Sequence, residues 1–182
     1  FTNTFGYSPK SFRAGRFGIG RNTLRLLSGL GYEVDSSVTP GIDWDLREGR
    51  SNHSTAPTTT YAGSELDFNT AGNLPILEIP VTIRPAHRIL SKFGDAIKAF
   101  DRWPFRRIIH PLRIRRWMRP YWSSDEKMID LVKLGLKESQ NSEFPIVLNM
   151  MFHSMEIMPG KSPYTQTASD VDDYVADMDH VF

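Results

Sequence analysis

The sequence predicts an α/β domain built on parallel strands, and three observations lead to that prediction. A strand, a loop, a helix and a second strand follow one another over residues 12–37. A further strand pattern spans 77–83, and an almost unbroken apolar run covers 145–152. Strands that alternate with helical patterns are typical of parallel sheets covered by helices. With 182 residues, the chain is long enough to bury the core of one such domain.

The first of these patterns predicts one βαβ unit. Phe12 is expected to point inward from a short strand, and closely spaced glycines mark the loop after it. The following helix carries three leucines at helical spacing, Leu24, Leu27 and Leu30. Gly31 is well placed to end this helix, and residues 32–34 then form the second strand. Strands joined by a crossover helix lie parallel.

The middle of the chain is predicted to be a long excursion followed by a strand. Residues 41–73 are rich in Gly, Ser, Thr, Asn and Pro, with short strands expected near 60–61 and 66–68. Residues 77–83 then form a strand that Pro85 ends.

The second half of the chain alternates helical and strand patterns. Helices are predicted over 89–100 and 125–137, and a last helix is expected to begin after Ser169. The apolar run 145–152 fits a buried parallel strand. That strand would deliver His153 at its C-terminal end.

Composition excludes two kinds of structure and points to an uneven charge. The chain has no cysteine, so it contains neither disulfides nor thiolate metal sites. No run of about 18 apolar residues occurs, so no transmembrane helix is expected. The net charge is only +1, yet residues 84–120 hold eleven Lys and Arg against two acidic residues, a local charge of +9. Such segregation concerns partners, not the fold.

Polar residues cluster after three predicted strands: residues 13–18, residues 35–37 with Asp43 and Trp44, and residues 153–156. Catalytic sites collect at the C-terminal ends of parallel strands. An Arg, an Asp and a His at three such ends suit acid-base chemistry, with a carboxylate orienting an imidazole. Each residue alone also fits a structural role, as an ion-pair partner, a turn former or a solvated loop residue.

These clusters resemble motifs of the polysaccharide deacetylase (NodB-homology) family. Residues 11–18 (SFRAGRFG) look like its third motif, and residues 30–40 (LGYEVDSSVTP) are similar to the strand that follows in the exopolysaccharide and lipopolysaccharide branch. Asp43 and Trp44 match the Asp-Trp pair of the fourth motif. Residues 151–164 (MFHSMEIMPGKSPY) resemble the fifth motif and its flank.

The resemblance implies a fold and a reaction. The fold would be a partial, deformed (β/α) barrel that lacks its first strands, with residues 1–182 as the C-terminal part of one domain. The family hydrolyses N-acetyl groups on the sugars of polysaccharides or glycolipids, using a divalent metal such as zinc that polarises the acetyl carbonyl and activates water. A bacterial protein is implied, cytoplasmic or peripheral to a membrane, while the sequence itself leaves the compartment open.

The resemblance also assigns roles to residues. His153 would protonate the departing amine, Asp43 would orient that imidazole, and Arg13 would hold the catalytic base. The substrate-binding residues implied are Arg16, Phe17, Asp35 and Glu156. Arg16 departs from the apolar or aromatic residue usual at its position, which favours an anionic glycan.

The first two family motifs, an Asp-Asp pair and a His-x-x-x-His pair, have no counterpart in the chain. None of its five histidines forms such a pair: His53, His87, His110, His153 and His180. The catalytic base and the metal ligands therefore belong upstream of Phe1, and no metal ligand is predicted in this chain. We expect the isolated chain to bind no catalytic zinc and to lack deacetylase activity. The competing interpretation is a non-catalytic, deacetylase-like module that binds an anionic glycan or a membrane surface.

The basic stretch at about 84–122 leaves several interpretations open. It is predicted to be a helical insert in which arginines alternate with aromatic residues. Its arginines fit a solvated helix pair with isoleucines facing the core. They also fit binding to anionic lipid or to anionic glycan. Binding to nucleic acid is the interpretation that they fit least well.

Overall fold

The computed structural model describes residues 2–44, 51–85, 115–140 and 145–182. The described residues form a mixed α/β structure with four helices and six short strands, so the predicted α/β class is confirmed. No closed barrel is formed by them. The chain divides into two compact units: Phe1–Thr82 with Phe144–Asn149, and Ile83–Glu143 with Met150–Phe182.

The first unit is organised around a four-stranded sheet. In chain order its elements are helix α1 (Thr2–Phe5), strand β1 (Ser11–Phe12), helix α2 (Thr23–Gly29) and strands β2 (Val34–Asp35), β3 (Tyr61–Ala62) and β4 (Leu77–Glu78). The strand order is β1-β2-β4-β3. β1, β2 and β4 are parallel, and β3 pairs antiparallel with β4. The predicted βαβ unit is therefore confirmed.

Helix α2 ends in a glycine cap that fixes where the chain re-enters the sheet. Gly31 has φ of +82°, and its N–H donates to the carbonyl of Ser28 at 3.0 Å. Tyr32 N–H donates to the carbonyl of Leu27 at 3.0 Å, which completes a Schellman motif. Leu30 was predicted to lie on this helix with Leu24 and Leu27, but the helix ends at Gly29 and Leu30 is 74% exposed.

The core of the first unit lies under the βαβ unit. Its buried members are Ile19, Leu24, Leu27, Val38, Ala56, Phe68 and Ile76, and Phe12, Tyr32 and Leu74 pack against them. Burial of these apolar side chains fixes α2 against the sheet. The strand ends are thereby held in place, and with them the polar side chains that follow.

The glycine cap can be tested with two neighbouring substitutions. Gly31→Ala is expected to lower the free energy of unfolding by about 1 kcal/mol, because a left-handed backbone disfavours a Cβ. Gly29→Ala is the matched control, since Gly29 lies inside α2 and a Cβ at either glycine would have nothing within 4 Å. It is expected to raise the free energy of unfolding by about 0.5–1 kcal/mol. Urea unfolding measures both, and effects of the same sign would contradict the cap.

The strand predicted over 77–83 is broken. β4 ends at Glu78, and Pro80 follows, which has no N–H to donate to a neighbouring strand. The chain nevertheless stays close to its neighbour, since Val81 N–H donates to the carbonyl of Val38 at 2.9 Å. One apolar pattern therefore covers two short strands that belong to different sheets.

Two other strand predictions have different outcomes. The strand expected near 60–61 is present as β3. Residues 66–68 form bends and turns instead, with Thr70 N–H donating back to the carbonyl of Asp67 at 3.1 Å. Asp67 also accepts from Asn69 N–H through its side chain, and this local bonding competes with a strand.

The second unit packs two helices beside a strand pair. Its elements are strand β5 (Ile83–Pro85), strand β6 (Arg115–Trp117), helix α3 (Asp125–Ser139) and helix α4 (Ala168–Val181). β5 and β6 are antiparallel. The described ends of the basic stretch therefore form strands, which corrects the predicted helical insert there. The helix predicted over 89–100 and the rest of the stretch lie outside the described residues.

The helices of the second unit follow the predicted positions with shifts at their ends. Met128 and Leu131 on α3 are buried as expected, whereas Leu136 is 63% exposed. Helix α4 begins at Ala168 behind a Thr167 capping box, not after Ser169. The helices in the described ranges include none with both the length and the apolar character needed to cross a bilayer.

The apolar run at 145–152 is not a regular strand. Residues 145–152 do not belong to any strand, and Val147 and Phe152 are 44% and 43% exposed. The prediction of a buried parallel strand is therefore wrong for this structure. Only Met151 in this run is buried, and Asn149 exchanges two hydrogen bonds with Thr82, at 2.8 and 3.0 Å.

Candidate functional site

The first unit collects polar side chains at the C-terminal ends of its three parallel strands. Arg13 follows β1, Asp35 ends β2 and Glu78 ends β4. Arg13 donates from Nε to Ser36 Oγ and from Nη2 to Asn149 Oδ1, both at 2.9 Å. Partial desolvation lowers the pKa of Arg13, while the charge of Asp35 opposes that change. The edge of this sheet thus carries Arg13 and Asp35 as predicted and Glu78 in addition, whereas His153 belongs to the second unit.

Asp35 and Glu78 are both fully buried, at 0% exposure. Asp35 accepts two hydrogen bonds from Ser37, one from its hydroxyl at 2.7 Å and one from its backbone N–H at 3.2 Å. Glu78 Oε1 accepts from Val38 N–H at 3.1 Å. Burial, together with its neighbour Asp35, raises the pKa of Glu78 well above the usual range of a glutamate. Asp35, predicted to bind substrate, is thus enclosed in protein.

Glu78 was missed by the sequence reasoning. Its signal was present as a single acidic residue inside the apolar pattern of 77–83. A charged residue in a strand that is otherwise buried is rare unless it is paired or functional. Treating the whole pattern as one core strand concealed it.

The loop after β1 has a strained backbone. Arg16 and Phe17 have φ of 55° and 56°, which residues with side chains seldom adopt. Ala14 N–H donates to Ser37 Oγ at 2.8 Å, and the ring of Phe17 stacks on Trp44 at 5.6 Å between centroids. Because such strain concentrates at ligand-binding sites, the loop is a candidate binding surface. Arg16 and Phe17, predicted to bind substrate, lie on it.

Asp43 and Trp44 lie beside a segment that contains a buried histidine, His53. Asp43 forms an isolated antiparallel bridge with Asn52. Trp44 Nε1 donates to Thr39 Oγ1 at 2.7 Å, and Thr39 N–H donates to Nδ1 of His53 at 2.9 Å. His53 is 0% exposed. Burial lowers its pKa to about 4, so it is neutral near pH 7.

The second unit contains His153 and Glu156. His153 precedes the short 3₁₀ helix Ser154–Ile157, and its Nδ1 lies 2.8 Å from Glu156 Oε1. The side chain of His153 is 58% exposed and that of Glu156 is 1% exposed. A carboxylate can only accept, so Nδ1 carries the hydrogen and Nε2 is the other ring nitrogen, able to exchange a proton.

Glu156 is held from two further directions. It accepts from Arg119 Nη2 at 2.7 Å and from the Tyr174 hydroxyl. Burial alone would raise the pKa of Glu156, but the hydrogen bonds from Tyr174 and His153 and the charge of Arg119 lower it overall. Glu156 was predicted to bind substrate. In the structure its carboxylate is instead enclosed by Arg119, Tyr174 and His153.

Arg119 is itself enclosed by aromatic rings. Its guanidinium carbon lies 4.3 Å from the centroid of the Trp122 ring and 5.4 Å from that of Tyr164. Arg119 is only 3% exposed. The buried ion pair with Glu156 therefore lies in a dry aromatic setting, where charge interactions are strong.

Three of the four described arginines of the basic stretch are paired with acids. Arg84 donates to Glu138 at 3.0 Å, Arg116 to Asp130 at 3.0 Å, and Arg119 to Glu156. These pairs account for part of the local positive charge within the protein itself. The rest of the predicted anion-binding stretch at about 84–122, residues 86–114, lies outside the described residues.

The described residues do not form a metal site. Within the described part of the chain, no group of three or more His, Asp or Glu side chains could hold one. No step of the chemistry considered below is therefore assigned to a metal.

Comparisons with known proteins leave the family resemblance as a hypothesis. No protein-family model, no curated protein and no solved structure matches the chain.

Proposed function

We propose that this chain is the part of a carbohydrate N-deacetylase that supplies the acid catalyst, within a partial, deformed barrel of the NodB type. The single observation that carries this proposal is the exposed imidazole of His153 on a buried, ion-paired carboxylate, Glu156. An imidazole held in one tautomer by a carboxylate is an effective general acid near neutral pH. The motif resemblance of residues 11–18, 30–44 and 151–164 supports the assignment to sugar substrates.

The reaction requires one proton at the leaving nitrogen. Water adds to the acetyl carbonyl carbon, and the tetrahedral intermediate then loses the sugar amine as the C–N bond breaks. An amine anion is a very poor leaving group, so its nitrogen must be protonated as the bond breaks. Nε2 of His153 donates that proton, and Glu156 stabilises the imidazolium before the transfer. The products are acetate and the free amine.

The first unit offers a surface for the sugar. The strained loop carries the exposed side chain of Arg16 and the ring of Phe17, which stacks on Trp44. Aromatic rings bind the apolar faces of sugars, and an arginine favours an anionic glycan. Arg13 would hold the catalytic base, a role that rests on the motif resemblance.

In the family that these motifs resemble, a divalent metal would polarise the acetyl carbonyl, and no step proposed here is routed through it. The described residues do not form its site, and we expect its ligands outside this chain. The alternative of a non-catalytic module that binds anionic surfaces depends on residues 86–114, and no observation on the described residues favours it.

Acetate release from an N-acetylated oligosaccharide by the complete natural polypeptide tests this proposal. His153→Ala is expected to lower kcat by about 10²–10⁴-fold, because general acid catalysis contributes that much. His180→Ala is the matched control, since His180 is also exposed and also contacts a carboxylate through Nδ1, that of Asp125 at 2.6 Å. It is expected to leave kcat unchanged. Loss of activity in both variants, or in neither, would contradict the role of His153.

A further inference from the structure

Asp35 and Glu78 face each other across two parallel strands with no room for two charges. They are register partners in the β2–β4 pair, and adjacent strands lie about 4.8 Å apart. Both side chains are at 0% exposure. Two carboxylates that share such a site do not both ionise, because burial and mutual repulsion favour a neutral form of one of them.

The hydrogen bonds identify which carboxyl is neutral. Asp35 accepts two hydrogen bonds from Ser37, and the charge of Arg13 acts on it, so Asp35 is the better placed of the two to carry the negative charge. Glu78 accepts one bond, from Val38 N–H, and its Oε2 is buried and accepts nothing from any described residue. A buried oxygen without a donor is costly as an anion but suits a hydroxyl that donates to Asp35.

The other groups around the pair reinforce this assignment. On the far side of Glu78, its register partner is Tyr61 on β3, whose hydroxyl donates to the carbonyl of Phe68 and so is not directed at Glu78. Burial raises the pKa of Tyr61, so it stays neutral. Arg13 is the cation whose charge acts on the pair.

We propose that Asp35 and Glu78 hold one proton between them, with Glu78 as the neutral partner, and that the pair positions Arg13 with a single compensating charge. Glu78 is then a positioning residue, which acts on Arg13 through Asp35. The proton shared by the pair follows from its geometry alone, whereas a consequence for catalysis rests on the proposed function, which gives Arg13 its role.

Infrared spectroscopy at neutral pH tests the shared proton directly. We expect wild type to show the carbonyl band of a buried protonated carboxylic acid, and Glu78→Gln to lose it. Asp35→Asn is expected to keep the band, because Glu78 stays buried and burial is the largest cause of its raised pKa. Glu33→Gln is the matched control, since Glu33 is an exposed glutamate paired with Lys10, and it should keep the band. A band that persists in Glu78→Gln would overturn the proposal.

The pH dependence of stability provides a second readout. A carboxyl whose pKa is raised on folding contributes stability that is complete below its unfolded pKa and is lost as pH rises toward its folded pKa. As the pH rises from the unfolded to the folded pKa of Glu78, the melting temperature of wild type should therefore fall relative to that of Glu78→Gln. That variant carries no ionisable group at position 78. Parallel pH profiles of the two proteins would overturn the proposal.

Acetate release by the complete natural polypeptide tests the positioning role. Glu78→Ala is expected to lower kcat by about 10–100-fold with KM unchanged, because a displaced Arg13 misaligns the base, and Glu78→Gln is expected to restore kcat. A Gln variant as impaired as the Ala variant would overturn the positioning role. Absence of acetate release even in wild type would instead contradict the proposed function, and the infrared and melting results would still decide the shared proton.

Discussion

Arg119→Met is expected to lower the free energy of unfolding of the second unit by about 3–5 kcal/mol. The reason is that the substitution leaves the Glu156 carboxylate buried without its cation. A domain is stable by only about 5–15 kcal/mol, so this loss is a large fraction of the total. Urea unfolding followed by near-ultraviolet circular dichroism measures it, because Trp117 and Trp122 form an edge-to-face pair beside Arg119.

The double variant Arg119→Met with Glu156→Met separates the ion pair from general packing. Removing both charges leaves no uncompensated group, so most of the stability lost in Arg119→Met is expected to return. A double variant that is less stable than Arg119→Met would show that packing around these side chains, not the charge of Glu156, sets the effect.

Acid is expected to destabilise the first unit through His53 by about 3 kcal/mol. Its folded pKa of about 4 lies below the ordinary value of 6.5. As the pH falls below 6.5, the unfolded chain takes up a proton that the folded protein excludes, and the loss is complete when the pH has fallen through about 4. Each unit of pKa difference corresponds to about 1.4 kcal/mol. The free energy of unfolding measured between pH 7 and pH 4 tests this.

His53→Asn is the variant that isolates this term. The Asn carbonyl oxygen lies near the position of Nδ1 and can accept from Thr39 N–H, but it does not titrate. We therefore expect the variant to keep its stability near pH 7 and to lose less stability in acid than wild type by about 3 kcal/mol. Identical acid profiles for the two proteins would contradict the assignment.

The first βαβ unit could be predicted because residues close together in the sequence determine it. Features that depend on contacts between distant residues could not be predicted. Leu24 and Leu27 at helical spacing and Gly31 at the cap are decided within a few residues. Whether residues 145–152 form a strand depends on a neighbouring strand that can pair with them. The apolar pattern of the sequence is the same with or without that neighbour. Pro80 indicated a break in the strand predicted over 77–83, but the apolar residues around it favoured one continuous strand.

Residues of the candidate site that belong to a recognisable motif could be predicted from the sequence. Residues that join the site through tertiary packing could not. Arg13, His153 and Glu156 follow from motif resemblance, and the structure adds that Glu156 holds His153. Arg119 belongs to a stretch that resembled a solvated basic surface, yet it is buried. Only a partner 37 residues away in sequence explains its burial, and no single-sequence pattern reveals such a pairing.

The central claim, that His153 protonates the departing amine, is tested most directly by changing the leaving group. The measurement compares His153→Ala with wild type on an N-acetylated sugar and on an aryl acetate, using the complete natural polypeptide. A phenolate leaves without protonation, so the variant should lose about 10²–10⁴-fold on the amide and far less on the ester. Equal losses on both substrates would contradict the claim, because the role of His153 would then not be to supply the proton.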